Sequence, residues 1–315
     1  MLGVMTSQTQ LIRWTADAIP DIRGKHFVVT GGNSGLGLVT VKELARRGAT
    51  VTLACRNLTK GKTARDEIAA EVGPVEIDVR ELDLASLVSI RDFAAHLSTS
   101  PIDVLINNAG VMAPPRSETI DGFELQFGTN HLGHFALTGH LWAGLMKSEN
   151  PRVITVSSNA HKAGTMNFDD LMSQNKYSAW SAYGMSKLAN LLFTFELQRR
   201  ANAANISNFK SIAAHPGYSA TNLSMSIAPS VGGFIRSAAR SLESAVAQSA
   251  EMGALPQLYA ATSLEVPAGA YVGPDGWGEW RGFPKLVSAT EKAKSGEDAK
   301  LLWERSETLT GVSFL

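Results

Sequence analysis

A tyrosine and a lysine four residues apart are the strongest chemical signal in this sequence. They are Tyr183 and Lys187, in the segment SAYGMSK at residues 181–187. On a helix, residues four apart lie on one face, so the ammonium of Lys187 is placed beside the phenol of Tyr183. A nearby cation lowers the pKa of a tyrosine from its ordinary value of ~10 and so favours proton transfer near neutral pH. Without other support, the same spacing is typical of an ordinary solvated pair.

The composition limits the classes of protein to which the chain can belong. It has 315 residues, 44% of them hydrophobic, which suffices for one α/β domain or two small ones. Its 29 basic and 29 acidic residues balance, so no nucleic-acid partner is expected. The single cysteine, Cys55, excludes an internal disulfide and fits a reducing compartment. We find no leader pattern and no apolar run of ~18 residues, so we expect a cytoplasmic protein without a membrane span.

Short β-branched runs alternate with helical patterns along most of the chain. This alternation predicts a doubly wound (Rossmann) α/β fold, in which a parallel seven-stranded sheet carries helices on both faces of a single domain. A short amphipathic helix is predicted at 11–22, within an N-terminal extension of residues 1–24. Residues 25–273 form the predicted dinucleotide-binding and catalytic domain, with a substrate loop at 217–244, and residues 274–315 form a tail. The predicted strands are 25–30, 49–55, 75–82, 103–107, 152–157, 209–214 and 270–272. A predicted helix follows the first strand and its glycine turn and ends at residue 47, and the later predicted helices are 59–72, 85–97, 123–145, 180–200 and 245–262.

A glycine-rich turn joins the first predicted strand to a helix. Glycine lets the backbone approach a pyrophosphate, and the start of a helix offers free N–H groups and the positive end of a dipole. A strand, this turn and a helix in that order predict a dinucleotide phosphate site. The turn comprises Gly31, Gly32, Asn33, Ser34, Gly35, Leu36 and Gly37.

The other unusual residues also follow predicted strands. Ligands of parallel sheets bind beyond the carboxyl ends of the strands, so these residues are expected to gather at one edge. After strands two to six come Arg56, then Asp83 and Leu84, then Asn107, Asn108, Ala109 and Gly110, then Ser157 and Ser158, and finally His215, Pro216 and Gly217.

The end of the second strand predicts which cofactor is bound. An acidic residue there binds the ribose 2′-hydroxyl of NAD, whereas arginine accommodates the 2′-phosphate of NADP. This sequence has Arg56 at that place, Lys60 one turn further, and no acidic residue between 49 and 59. The expected cofactor is NADP. Asp83 is either an adenine contact or the cap of the next helix.

These motifs together resemble the short-chain dehydrogenase/reductase family in its one-domain form. Within it, residues 156–192 are similar to the retinol-dehydrogenase-like and protochlorophyllide-reductase-like branch. The resemblance covers about residues 25–272 and rests on Thr30-Gly31-x-x-x-Gly35-x-Gly37, Leu82-Asp83-Leu84, Asn107-Asn108-Ala109-Gly110, Asn130, Ser158, Tyr183-x-x-x-Lys187 and Pro216-Gly217.

The resemblance implies a role for each matching residue. Tyr183 is expected to act as the general acid/base, and Lys187 to lower its pKa and hold the nicotinamide ribose. Ser158 is expected to hydrogen-bond the substrate oxygen, with Ser157 as the alternative, and Asn130 to hold a water that links Lys187 to solvent. The expected cofactor contacts are Gly31, Asn33, Ser34, Gly35, Leu36, Gly37, Arg56, Asp83, Leu84, Asn108, Ala109, Gly110, Tyr183, Lys187, Pro216 and Gly217.

Two further patterns are set aside. The Gly61-Lys62-Thr63 segment resembles the end of a P-loop, but Arg56 stands where the first glycine is required. His131 and His134 lie on one helical face, yet no further ligands appear at metal-binding spacing. We interpret these histidines as packing residues and expect no metal.

The function that these observations predict is an NADP(H)-dependent interconversion of a carbonyl and an alcohol on a lipophilic small molecule. Reduction of a carbon–carbon double bond and nucleotide sensing without catalysis are the alternatives. Relatives in the family often form dimers through the helices at 123–145 and 180–200, but the tail could cover those surfaces, so the oligomeric state is left open. The candidate apolar wall comprises Met225, Ile227, Val231, Phe234, Ile235 and Trp277.

Overall fold

One twisted sheet organises the chain. The computed structural model describes residues 13–97, 100–218 and 248–315. In these ranges the sheet has the strand order β3-β2-β1-β4-β5-β6-β7-β8, parallel throughout except for β8, which is antiparallel to β7. Its strands are β1 His26–Thr30, β2 Thr50–Cys55, β3 Glu76–Glu81, β4 Val104–Asn107, β5 Arg152–Val156, β6 Lys210–Ala214, β7 Tyr271–Pro274 and β8 Pro284–Leu286.

Helices cover both faces of this sheet, which confirms the predicted doubly wound fold. Side chains of α1, α2 and α6 form one buried apolar cluster with the strands, whereas those of α3, α4, α5 and α7 contribute to two others. The strands between the two edges are buried on both faces because both faces are covered, whereas the edge strands β3 and β8 have exposed residues. The helices are α1 Gly35–Arg46, α2 Leu58–Val72, α3 Leu87–Leu97, α4 Gly133–Leu145, α5 Ala179–Ala203, α6 Ala250–Thr262 and α7 Gly296–Thr310.

The predicted count of seven strands is wrong by one. The eighth strand, Pro284–Leu286, lies within the segment predicted as a tail and pairs with the edge strand β7. It has three residues, of which Lys285 and Leu286 are exposed. A strand this short and this exposed has no apolar alternation that a sequence pattern could reveal.

The amphipathic helix predicted at 11–22 is not formed in the part that the structure describes. Between residues 13 and 22, only the 3₁₀ turn Ala16–Ala18 is helical. Ile19 and Ile22 are nevertheless buried in the core, so the segment packs against the domain without forming a regular helix. Pro20 explains the absence of a helix, because it removes an N–H donor and disfavours a helical conformation of the residue before it.

The C-terminal helix α7 covers part of α4 and α5. Trp303, which is 2% exposed, stacks on Phe193 of α5 and meets Phe135 of α4 edge-on, with ring centroids 5.9 and 5.0 Å away. The surfaces through which relatives were expected to pair are therefore partly occupied by this chain's own C-terminus. In the described ranges, no helix is both long enough and apolar enough to cross a membrane.

Candidate active site

The site is built where the strand order reverses, between β1 and β4. Chain connections leave the carboxyl ends of these strands in opposite directions, which opens a crevice beyond the sheet edge. The glycine turn follows β1, residues 108–111 follow β4, and Ser158 follows β5. Helix α5 packs against β5 and carries Tyr183 and Lys187 to the same edge.

Tyr183 and Lys187 lie together on the buried face of α5. The ammonium of Lys187 is 5.8 Å from the centroid of the Tyr183 ring and donates a hydrogen bond of 3.0 Å to the carbonyl of Val156. That carbonyl also accepts from Asn190 Nδ2 at 3.1 Å. Since Val156 ends β5, these bonds fix the helix face against the strand that leads to Ser158. The solvated-pair interpretation is therefore wrong.

Burial controls the ionisation of both groups. Removal of the ammonium from water lowers the pKa of Lys187 to about 8. Burial also raises the pKa of Tyr183, and the hydrogen bond between its hydroxyl and Ser158 acts in the opposite direction. The net shift for Tyr183 is thus opposite to the lowering predicted from Lys187 alone. In this geometry Tyr183 keeps its proton at neutral pH.

The two adjacent serines point in different directions. Ser157 is buried, and its hydroxyl donates to the carbonyl of Lys187 at 2.7 Å. Ser158 is partly exposed, lies within hydrogen-bonding reach of the Tyr183 hydroxyl, and accepts a bond from the N–H of Ala160 at 3.2 Å. Ser158 is therefore the serine that faces Tyr183, and it also caps the following turn. Ser157 instead ties β5 to α5.

Asn130 lies in a π-helical turn, Gly128–Leu132, that interrupts the helix predicted at 123–145. Its Oδ1 accepts from the N–H of Val111 at 2.8 Å, and its Nδ2 donates to the carbonyl of Val111 at 2.9 Å and to Ser186 Oγ at 3.0 Å. The side chain therefore holds the loop after β4 against α5. A π turn inside an α-helix is frequent at functional sites. The water expected at Asn130 stays a prediction.

The hydroxyl of Thr30 joins the elements around the crevice. It accepts hydrogen bonds from the N–H groups of Asn108 and Ala109, both at 2.9 Å, and bonds His134 Nε2 at 2.9 Å. Burial lowers the pKa of His134 to about 4, so its ring is neutral. Because His134 Nδ1 must donate to the carbonyl of Asn130 at 3.0 Å, its Nε2 accepts the Thr30 proton. Every donor and acceptor of Thr30 Oγ1 is then used.

Sequence reasoning missed Thr30 and His134 as members of one network. The side chains of the two paired histidines make separate contacts: His134 bonds Thr30, whereas His131 Nε2 bonds Ser306 Oγ of α7 at 2.9 Å. The described ranges contain no cluster of three or more groups placed to hold a metal ion. The signal in the sequence was a histidine four residues after Asn130, because this spacing places both side chains on one face of a helix.

The glycine turn fits a dinucleotide phosphate. A Cβ built on Gly37 would lie 2.2 Å from the Gly31 carbonyl, so only glycine lets α1 pack this closely on the turn. Gly31 itself has φ +66°. The side chain of Ser34 makes no capping hydrogen bond, so the first N–H groups of α1 remain available to an anion. Asn33 and Ser34 are accessible here, whereas the Leu36 side chain belongs to the core.

The loop after β4 approaches the same crevice. A Cβ on Gly110 would lie 3.1 Å from Asn130 Oδ1 and 3.5 Å from Lys187 Nζ, so the loop meets both groups at one point. The Asn108 side chain is occupied: Nδ2 donates to the Thr30 carbonyl at 2.7 Å, and Oδ1 accepts from Gln257. Asn108 therefore shapes the crevice through the loop it holds.

Arg56 is exposed at the end of β2, and its guanidinium makes no hydrogen bond or ion pair with the residues that the structure describes. The side chain of the adjacent Asn57 already has a hydrogen-bond partner, since it caps α2 by accepting from the N–H of Lys60 at 2.9 Å. Asp83 Oδ1 accepts from the N–H of Ala85 at 2.9 Å. This bond closes a turn before α3, which begins only at Leu87, and Ser86 Oγ accepts from the N–H of Ser89 at the start of that helix. Asp83 is therefore not the cap of α3, and its contact with adenine stays a prediction; it lies next to the buried Leu84.

The residues after β6 contact the far side of the site. The carbonyl of Pro216 accepts from the Gln248 side chain, and the N–H of Tyr218 donates to the carbonyl of Trp280 at 2.7 Å. Residues 219–244 of the predicted substrate loop at 217–244, and five of the six candidate apolar wall residues, lie outside the described ranges. Trp277 is described and is 85% exposed.

Trp180 is a further aromatic residue that sequence reasoning missed. It begins the first turn of α5, three residues before Tyr183, and its ring meets the Tyr183 ring edge-on with centroids 6.2 Å apart. It is largely exposed. A spacing of three on the predicted helix was the signal that placed it on the face of Tyr183.

Comparison with known proteins agrees with this architecture. Residues 25–231 match the family model described as short chain dehydrogenase. The chain belongs to this family. As a short-chain dehydrogenase it is an oxidoreductase that uses a nicotinamide cofactor, and its predicted resemblance to the retinol-dehydrogenase-like branch is confirmed by the relatives below.

Two human proteins are similar to this short-chain dehydrogenase over most of its length. Retinol dehydrogenase 13 of Homo sapiens is 40% identical over 319 residues, covering 99% of this chain and 93% of that protein. Retinol dehydrogenase 14 of Homo sapiens is 40% identical over 307 residues, covering 92% and 88%. An uncharacterised protein of Mycobacterium paratuberculosis, known from its crystal structure, superposes with a TM-score of 0.80 at 45% identity, covering 96% of this chain and 99% of that one.

The Thr30 network predicts a large loss of stability in Thr30→Val. The valine leaves the N–H of Ala109 and Nε2 of His134 without partners, whereas the N–H of Asn108 keeps its bond of 3.0 Å to the carbonyl of Ile106. Two unsatisfied groups should cost about 2–4 kcal/mol of unfolding free energy, since each costs ~1–3 kcal/mol. Urea unfolding measures this. Thr155→Val is the matched control, because Thr155 is equally buried and its hydroxyl has no partner among the described residues. Equal losses in both variants would contradict the network.

The lowered pKa of Lys187 predicts how stability changes with pH. Between about pH 8 and pH 10 the unfolded lysine, with a pKa of ~10.4, still binds a proton that the folded one has lost. The unfolded state then binds more protons, so the unfolding free energy rises with pH across this window. Urea unfolding of the protein without cofactor should show this rise, and Lys187→Met should lack it. Lys62→Met, at an exposed site, should retain it; parallel curves for all three proteins would refute the expectation.

Proposed function

We propose that this short-chain dehydrogenase reduces the carbonyl group of a lipophilic small molecule to an alcohol with NADPH, and catalyses the reverse reaction with NADP. The observation that carries the proposal is the meeting of Tyr183, Ser158 and Lys187 at the edge where the glycine turn opens. The similarity to proteins named retinol dehydrogenase supports an apolar alcohol or aldehyde as substrate.

Tyr183 and Ser158 form hydrogen bonds with the oxygen of the substrate. The bound nicotinamide supplies the hydride. As charge develops on the substrate oxygen, two hydroxyls directed at that oxygen stabilise it, and Tyr183 donates its proton. Burial suits Tyr183 to this role because a raised pKa keeps the proton in place until a more basic alkoxide forms. Ser158 completes the pair by remaining partly exposed beside Tyr183.

Lys187 acts as the nearby cation and as a ligand for the cofactor ribose. Its pKa of about 8 leaves it largely protonated at neutral pH, with one of its three N–H donors used on Val156. The remaining donors are available to hydroxyl groups. Asn130 and Gly110 lie at the same point, so the loop after β4 borders the site beside Lys187.

NADP is the proposed cofactor because Arg56 is exposed and uncommitted where the 2′-phosphate is expected. Arginine binds phosphate through a planar fork of donors. The glycine turn, with Gly31, Gly35 and Gly37, holds the pyrophosphate, and the N–H groups at the start of α1 bind its charge. The cytoplasmic location stays a prediction, as does the oligomeric state.

Replacing Tyr183 with phenylalanine tests the mechanism. Tyr183→Phe keeps the ring but removes the proton, so turnover of an aldehyde with NADPH should fall by about 10²–10⁴-fold, the usual contribution of general acid catalysis. Calorimetric binding of NADPH should stay within a few-fold of wild type. Tyr259→Phe, on α6 and packed on Trp14, is the control and should retain full activity. Substantial turnover by Tyr183→Phe refutes the assignment of the acid.

Replacing Arg56 tests the cofactor. Arg56→Ala should raise the KM for NADPH by about tenfold, because a charge-assisted phosphate contact contributes ~1.5 kcal/mol or more, and should leave the KM for NADH unchanged. Steady-state kinetics with both cofactors measure this. Lys62→Ala removes another exposed cation from the same region and should change neither value. An equal effect of Arg56→Ala on both cofactors contradicts the role of Arg56.

A further inference from the structure

The connection between β7 and β8 presents two exposed tryptophans beside the active site. We name residues 275–283 the tryptophan loop. Its ends are joined by hydrogen bonds from the N–H of Asp275 to the carbonyl of Phe283 at 2.8 Å and from the N–H of Gly276 to the carbonyl of Arg281 at 3.0 Å. Trp277 and Trp280 are 85% and 46% exposed, with ring centroids 5.5 Å apart. Large apolar side chains that are exposed next to each other commonly mark a binding site.

The tryptophan loop is attached next to Ser158. Asn159, the residue after Ser158, donates from Nδ2 to the carbonyls of Gly278 and Glu279, both at 3.3 Å. A second attachment lies at Gly217, where a Cβ would meet the carbonyl of Trp280 at 2.4 Å. The loop therefore spans the carboxyl ends of β5 and β6, immediately beside the serine that faces Tyr183.

In the described ranges, Glu279 is the one residue of the tryptophan loop whose side chain contacts a buried ionisable group. Its Oε2 lies 3.1 Å from Nε2 of His215, which is fully buried, and 3.4 Å from Nζ of Lys162. Because Nδ1 of His215 accepts from the N–H of Gly217 at 3.3 Å, its Nε2 carries the proton and donates to Glu279. Burial lowers the pKa of His215, so this is a neutral ring bonded to a carboxylate.

The backbone of the loop needs this attachment. Glu279 has φ +58°, a left-handed conformation that is rare for a residue with a side chain and costs roughly 1–2 kcal/mol. Such a conformation persists only where neighbouring contacts enforce it, and it is concentrated at functional sites. Residues 278 and 279 are held by the bond to His215, the two bonds from Asn159, the ion pair with Lys162, and the bond from the N–H of Glu279 to the carbonyl of Gly276 at 3.0 Å.

We infer that the tryptophan loop is the wall of the substrate site that binds a long apolar chain, and that Glu279 is the positioning residue that fixes this wall beside Ser158. The inference rests on the proposed function and extends it from a lipophilic substrate to a chain long enough to reach beyond Tyr183 onto two indoles. Short carbonyl compounds react at Ser158 and Tyr183 without touching the loop.

Two aldehydes of different length test this inference. Butanal and decanal are compared as substrates with NADPH, for wild type and for Glu279→Ala. The expected result is that Glu279→Ala raises the KM for decanal about tenfold, while kcat/KM for butanal and kcat for decanal stay within twofold. Glu279→Gln should resemble wild type, because its amide oxygen still accepts from His215 Nε2. Glu304→Ala, an exposed glutamate on α7, is the control and should change neither substrate.

The tryptophans supply an independent variant. Trp277→Ala removes a side chain that is 85% exposed, so the protein should fold normally and should show the same selective rise in KM for decanal. If Glu279→Ala fails to fold, this variant alone decides the inference. An equal change for both aldehydes, no change in Trp277→Ala, or a Glu279→Gln as impaired as Glu279→Ala would overturn it.

A binding measurement separates this inference from the proposed function. Titration calorimetry with butanol and decanol measures chain-length discrimination without turnover. If wild type reduces neither aldehyde but binds decanol more tightly than butanol, and Trp277→Ala loses that difference, the proposed reaction fails and the binding wall stands. If wild type turns over both aldehydes and neither variant changes the preference for decanal, the proposed reaction stands and the wall is refuted.

Discussion

The hydroxyl of Thr30 is the interaction on which the crevice depends. It lies at the carboxyl end of β1, where the strand order reverses, and it connects the loop after β4 to the helix that contains Asn130. A hydroxyl can donate once and accept twice, and all three capacities are used, on the buried ring of His134 and on two part-buried amides. Since an unmade bond at such a site costs the full desolvation of each partner, the loop and the helix are held in one arrangement before any ligand arrives.

Burial then determines the chemistry that this rigid frame can support. The same removal from water raises the pKa of Tyr183 and lowers that of Lys187, because in both cases the charged form is disfavoured. The phenol becomes a proton donor, and the lysine remains a cation held by the carbonyl of Val156. The protein therefore holds a neutral phenol and a fixed positive charge side by side, which is the arrangement that the proposed reduction of a carbonyl group uses.

In the proposed assignment, specificity for chain length depends on the other side of Ser158. There, the tryptophan loop adds apolar surface, and the bond between Glu279 and His215 attaches it to the sheet. The reacting groups lie on a helix and a strand end, whereas the apolar wall lies on a connection between edge strands. Such a division lets the wall vary in sequence and length while the acid and the glycine turn keep their positions.

The sequence alone determined the fold class and predicted the edge at which the site forms, because strand and helix periodicities are local and parallel pairing brings strand ends together. The spacing of Tyr183 and Lys187 predicted that they share a helix face, whereas the choice of Ser158 came from the family resemblance. Only the tertiary structure decided three other features. These are the short strand β8, the network joining Thr30 to His134 across 104 residues, and the contact of Glu279 with His215 across 64. Each depends on distant segments meeting, which no local spacing encodes. The rise in the pKa of Tyr183 belongs with them, because burial is a property of the packed molecule, whereas the lysine four residues away is visible in the chain itself.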